Sequence, residues 1–191
     1  MKWIGKRISF VQDKNKTTII IYPEDTAWVK AVMGAWVAMW ISIGAVITWA
    51  YFQLVLSEQE NIILIVFMAF WLYFAFKVIR SFFWLLWGRE LLKIDEVSVS
   101  YKKSIKGYGK AGIYYIENIS KIREIDVEPN SIQSIWEKSP WVKGGERIEF
   151  EHKGKMILFG RKVNAQDTKL LFKVVSKRVE EQARKLNKVN Q

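Results

Sequence analysis

The sequence predicts a membrane-bound α+β protein, with a hairpin of two transmembrane helices leading into a soluble domain of antiparallel strands closed by a C-terminal helix. Three observations carry that expectation. From Ala31 to Ser57 the chain has no charged residue. A second apolar run, Ile62 to Phe76, follows after a very short polar stretch. Beyond Trp87 the unbroken apolar pattern gives way to short alternating segments punctuated by turn residues, the mark of antiparallel strands.

The first run is bounded by Lys30 and Glu58 and exceeds the roughly 20 apolar residues that a helix needs to cross a bilayer core. It begins too late and runs too long for the apolar region of a signal peptide, so it is expected to be retained. The second run ends at Lys77, and Arg80 follows. Long basic stems snorkel from a helix end towards water, and Phe82, Phe83, Trp84 and Trp87 then form an interfacial aromatic belt. The other reading of Lys77 and Arg80 is that of charges buried on a pathway inside the membrane. A connection as short as Ser57 to Asn61 makes the two helices antiparallel neighbours.

Charge is spread unevenly over the 191 residues: net +3 over residues 1–30, −2 over 31–76 and +10 over 77–191. Lys2, Lys6, Arg7, Lys14, Lys16 and Lys30 flank the first helix, whereas the connecting loop holds only Glu58 and Glu60. The bias of Lys and Arg towards the cytoplasmic side places both termini in the cytoplasm, as a multi-pass protein of a bacterial cytoplasmic (inner) membrane. The domain boundaries expected are a basic cytoplasmic segment 1–27, a transmembrane hairpin 28–87, a soluble domain 88–186 and a frayed tail 187–191. A basic domain beside a membrane is attracted to anionic lipid, and nucleic acid is the competing, less favoured partner of the same charge.

Within the soluble part, Leu91, Leu92 and Ile94 open the first strand. Val97, Val99 and Tyr101 alternate with polar residues, and Ile113 to Ile116 follow a glycine-rich turn. Ile119, Ile122, Ile125 and Val127 form a further stretch ending at Pro129. Ile148, Phe150 and His152 alternate with Glu149 and Glu151, and Lys153-Gly154-Lys155 turns the chain into Met156 to Phe159, a β-hairpin. Asn164 occupies a helix N-cap position with Asp167 three residues on, and Leu171, Val175, Val179, Ala183 and Leu186 make one apolar stripe.

This order of parts, with the "WGRELLKI" opening, the "ERIEFEHKGKMILFG" hairpin and the closing amphipathic helix, resembles the membrane-anchored bacterial proteins that carry a pleckstrin-homology-like (PH-like) domain. The resemblance covers residues 28–186. It implies a partly open barrel of about seven strands capped by the C-terminal helix, and a non-catalytic binding or assembly role. It supplies no functional residues to carry over.

The chemistry-bearing residues are few. With no Cys and one His, thiolate chemistry and clustered metal ligation are excluded, and neither a cofactor nor a metal is expected. His152 reads as a solvent-facing strand end, and Glu149 and Glu151 as an exposed, charge-paired strand face rather than an acid/base pair. Gly107, Gly109 and Gly112 lack a Walker pattern, but Lys102, Lys103, Lys106 and Lys110 around them, with Lys77 and Arg80, are candidates for meeting lipid headgroups. Trp136 and Trp141 stand in an unusually apolar insertion, open to packing on the domain, partner docking or shallow membrane insertion. Gly34, Ala38 and Ser42 give the first helix a small-residue side that suits close approach, either of the second helix or of another chain. The expected function is a membrane-anchored scaffold or accessory subunit, partnered by another membrane protein or its own copies. The alternative is a sensor of anionic lipid.

Overall fold

The computed structural model describes residues 1–24, 26–126, 131–139, 141–142 and 144–189, which fall into two units, one of residues 25–86 and one of residues 1–24 together with 87–191. The first is a helical hairpin, α1 (Ala27–Gln53) and α2 (Glu58–Trp87), each long and apolar enough to cross a membrane. The turn between them is closed by a capping box. Ser57 N and Oγ both donate to Glu60 Oε2, at 2.9 and 2.7 Å, and Glu60 N reaches back to Ser57 Oγ at 3.4 Å. Glu58 and Glu60 therefore belong to the first turn of α2, where they complement the helix dipole.

The side of α1 that carries Met33, Val37, Trp40 and Gly44 meets α2. The Trp40 and Trp71 rings lie 6.1 Å apart, and a Cβ on Gly44 would fall 2.1 Å from the Trp71 ring, so only glycine admits that indole. Many large apolar side chains of both helices, Val46, Trp49, Phe70 and Phe76 among them, stand exposed.

The second unit holds two antiparallel sheets. Six strands, β1 (Lys2–Ile4), β2 (Ile8–Gln12), β3 (Thr17–Ile21), β4 (Gly88–Ile94), β5 (Ser98–Ile105) and β6 (Ala111–Tyr115), pair in chain order as a meander. Three more, β7 (Ile119–Glu124), β8 (Ile148–His152) and β9 (Lys155–Phe159), make the smaller sheet. A short helix, α3 (Ile132–Lys138), interrupts the β7–β8 connection, and α4 (Ala165–Val189) closes the chain. The core takes Ile8, Ile19 and Ile21 from the first strands, Leu92, Ile94 and Val99 from the middle, Ile148, Phe150 and Phe159 from the small sheet, and Leu171, Val175 and Val179 from α4.

The expected boundaries need one large correction. Residues 1–27 are not a free basic segment: residues 2–21 form three strands, and β3 pairs with β4 in register Thr17↔Ile94 to Ile21↔Glu90. The physical cause is an alternation of Ile8 and Phe10, and of Thr17, Ile19 and Ile21, that puts one side of each strand into the core. The helical hairpin is thus an insertion between two hydrogen-bonded neighbours.

Buried polar contacts fasten this N-terminal part to α4. Arg178 Nη2 donates to Asp13 O at 3.1 Å and Lys14 O at 2.8 Å. At the other end Gly5, at φ +57°, leaves no room for a side chain, since a Cβ would lie 2.2 Å from Asp167 Oδ2.

Smaller differences are local. The β8–β9 turn is Lys153-Gly154 alone, both residues at positive φ, and Lys155 already pairs with His152. Val97 is exposed while its alternation partners Val99 and Tyr101 are buried. The final helix continues past Leu186 to Val189. Its predicted cap is present, with Asp167 N donating to Asn164 Oδ1 at 2.7 Å. Val127 and Pro129 lie outside the described residues.

Candidate functional site

A buried polar cluster of the β-rich unit centres on Glu90, only 2% exposed, in phase with Leu92 and Ile94 on the inner side of β4. Its Oε2 accepts from Tyr101 Oη and Gly160 N, each at 2.9 Å, and its Oε1 from Arg161 N at 3.0 Å. Burial pushes this carboxyl above the usual range, against the opposing pull of the Gly160 amide, Lys103, the Arg161 amide and Tyr101. The Tyr101 hydroxyl is pushed up in turn by its own burial and by Glu90.

The carbonyls of the same turn bind Arg7, whose Nη2 donates to Arg161 O at 3.1 Å and whose Nη1 donates to Lys162 O. Burial lowers Arg7 and Arg161 from their ordinary values, and burial beside Arg161 brings Lys162 down to about 8. The side chains of this turn then hold the loop after α3: Arg161 Nη2 donates to Val142 O at 2.7 Å, and Lys162 Nζ donates to Ser139 O. Glu137 on α3 pairs with Arg147 at 3.1 Å. Chemically the cluster is a clamp. Every donor aimed at Glu90 is engaged, and the clamp ties the N-terminal strands, β4, the turn after β9 and α3 together.

Sequence reasoning missed this cluster. The readable signal was a Glu in register with two core residues of one strand, which a buried charge satisfies only with partners.

The predicted headgroup lysines come together at the β5–β6 turn, but in different states. Lys102 Nζ donates to Gly107 O at 2.7 Å within the turn, and Lys103 pairs with Glu146, ahead of β8, at 2.6 Å, so both ammonium groups are engaged. Lys106 lies over the Trp87 ring with Nζ 3.9 Å from its centroid, and Lys110 is exposed beside it in sequence. Lys77 and Arg80 are on α2, Lys77 with its Nζ 5.0 Å from the Tyr73 ring.

The partner candidates also separate. Trp136 on α3 is 65% exposed, as are Ile132 and Ile135 to similar degrees, whereas Trp141 is half-buried and engaged by neighbours. Pro140 and Lys143 beside it lie outside the described residues. Gly34 is occupied by the second helix, since a Cβ there would lie 3.3 Å from the Phe82 ring. Ala38 and Ser42 are exposed, on the side of α1 away from Trp71.

Glu149 pairs with Arg123 across the β7–β8 ladder at 2.7 Å and is half-buried rather than exposed. His152 departs from the solvent-facing reading, for its ring is half-buried and edge-on to Tyr114 at 5.3 Å. Among the described residues no group of His and carboxylate side chains is placed to hold a metal ion. Compared with known protein families, characterised proteins and solved structures, the chain matches none of them.

Proposed function

We propose that this chain is a non-catalytic, membrane-anchored scaffold or accessory subunit, whose helices span a bacterial cytoplasmic membrane and whose PH-like domain docks on the cytoplasmic face into a larger membrane complex. The observation that carries the reading is the side of α1 opposite its contact with α2. Ala31, Ala35, Ala38, Ser42 and Ala45 are all exposed there, although small residues serve in membranes chiefly to let backbones approach. A lipid-facing helix gains nothing from such a side, whereas a second membrane helix packs on it closely.

Supporting the membrane reading, the exposed Trp, Phe, Ile and Val side chains along both helices are far more apolar surface than a soluble monomer carries. Supporting the common cytoplasmic side of both termini, β3 and β4 flank the hairpin and pair with each other, so the chain must return to the side it left. Supporting the PH-like reading, β3–β6 and β7–β9 supply seven antiparallel strands in two sheets, and α4 buries its apolar stripe against them. The hairpin then occupies the first inter-strand loop, and β1 and β2 are an addition.

The test is purification of the tagged full-length protein from its membrane, with and without Ala38→Leu/Ser42→Leu. Both side chains point away from α2, so the hairpin and the domain's melting transition are expected to persist while the associated membrane partner, or the homo-oligomer trapped by cross-linking, is lost. An unchanged assembly would overturn this docking side. The alternative, a sensor of anionic lipid, draws support from the Lys106–Trp87 stack.

A further inference from the structure

The end of the six-stranded sheet where the two helices leave the chain collects aromatic rings and cations from four separate segments. Tyr22 follows β3 and precedes α1, and Trp87 is the last residue of α2. The β5–β6 turn is brought to the same end because Gly88 pairs with Ile105 and Lys106 N reaches Trp87 O at 3.4 Å. Trp3 stacks on Tyr22 with ring centroids 6.0 Å apart. Arg89 lies with its guanidinium carbon 5.5 Å from the centroid of the Tyr22 ring, and Lys106 covers Trp87.

We infer that this sheet end is a contact surface for the phosphate headgroups of an anionic bilayer leaflet, with Trp3, Tyr22 and Trp87 at interfacial depth and Arg89, Lys106 and Lys110 as the phosphate-binding cations. The inference rests on the reading that α1 and α2 span a membrane, and adds to it which part of the domain meets lipid and through which residues.

Three features select a lipid surface over another occupant. Trp and Tyr are the side chains suited to the boundary between hydrocarbon and water, because each joins an apolar ring to a polar edge. Here they sit at the roots of two apolar helices. The cations are unneutralised: among the described residues Arg89, Lys106 and Lys110 take part in no ion pair. Two carboxylates beside these strands are engaged elsewhere, Glu146 by Lys103 and Glu90 by its buried donors. Finally, stacking on a ring holds the Lys106 stem flat while its ammonium keeps N–H donors for phosphate oxygens, an arrangement that suits an interface of mixed polarity. Lys102, held by Gly107 O, and Lys103, paired with Glu146, are not headgroup ligands in this reading.

The protein contains no Cys, which permits site-specific spin labelling of the full chain in nanodiscs. A nitroxide on Tyr108→Cys, at the 85% exposed tip of the turn, reports depth through its accessibility to an aqueous nickel chelate. Accessibility is expected to fall several-fold when phosphatidylglycerol is mixed into phosphatidylcholine discs. The combined Arg89→Gln, Lys106→Gln and Lys110→Gln substitutions should restore the neutral-disc value, and Arg89→Lys, Lys106→Arg and Lys110→Arg should keep the protection, which separates lost charge from lost fold. Equal accessibility in both lipids, or protection that survives the glutamines, overturns the inference. A label on Phe70→Cys in α2 is read in parallel: protection there with an exposed Tyr108→Cys label refutes the headgroup contact alone, whereas chelate access at residue 70 refutes the spanning reading and the inference with it.

Discussion

Removing residues 1–24 is the perturbation that most directly tests whether the N-terminal strands belong to the soluble domain. Ile4, Ile8, Ile19 and Ile21 are each at most 7% exposed, and all four belong to the common core. Burying an isoleucine side chain stabilises by about 1.5–3 kcal/mol, so the four together contribute roughly 6–12 kcal/mol. That equals the whole stability of an ordinary domain, about 5–15 kcal/mol. Deletion also strips β4 of the partner strand that runs from Thr17↔Ile94 to Ile21↔Glu90. A soluble chain of residues 88–191 is therefore expected to show no cooperative unfolding in urea by circular dichroism. A chain in which residues 1–24 are joined to 87–191 by a short turn, replacing the helices, should unfold cooperatively, because Ile21 and Glu90 are already cross-strand neighbours. Equal cooperativity and equal midpoints for the two chains would refute the reasoning.

In that joined chain, Glu90→Gln tests the buried carboxyl: its raised folded pKa means that its stabilising contribution is fully present below the unfolded value of about 4.3 and is lost as pH rises through the folded value. The stability difference between wild type and Glu90→Gln should therefore shrink with rising pH in urea titrations, and a difference that grows would show that the three donors outweigh burial. Asn164→Ala should cost about 1 kcal/mol through loss of the α4 cap, measured as a urea midpoint, while Asn164→Ser, which keeps an acceptor, should cost much less. Single cysteines at Lys14, Glu58 and Lys188 should give impermeant-maleimide labelling of intact cells at residue 58 only, and the reverse pattern would refute the orientation.

The features legible in sequence were those whose cause is local. The Asn164 cap and the stripe Leu171, Val175, Val179 need only helical spacing, and the β8–β9 hairpin needs only alternation on either side of Gly154, although its turn is one residue shorter than Lys153-Gly154-Lys155. The first three strands were not legible as part of the domain because β3 finds its partner only beyond both apolar helices, although Thr17, Ile19 and Ile21 already alternate. The role of Ala38 and Ser42 was undecided for a similar reason. Small residues mark a side fit for close packing, and which neighbour takes it depends on Trp71 filling the gap at Gly44, so that α2 engages a different side of α1. By sequence Trp141, after Pro140 and before Lys143-Gly144-Gly145, is the better anchor for a partner, yet Trp136 is the one that stands exposed, on a short helix, while Trp141 is half-buried.

The placement of the helices inside a β-hairpin connection explains several of these features at once. A long insertion at a strand turn costs little in loop-closure entropy, about 0.6 kcal/mol per doubling of length, provided that its two ends stay where the turn would have put them. The β3–β4 ladder imposes that condition, and a compact antiparallel helix pair with a capped four-residue connection satisfies it, because its two free ends emerge side by side. After the helices the chain passes directly from α2, which ends at Trp87, into β4, which begins at Gly88. Two residues further along β4, Glu90 grips the amides of Gly160 and Arg161, which in turn hold the loop beyond α3. A continuous covalent and hydrogen-bonded path thus runs within the β-rich unit from Trp87, through Glu90, to the loop that follows Trp136.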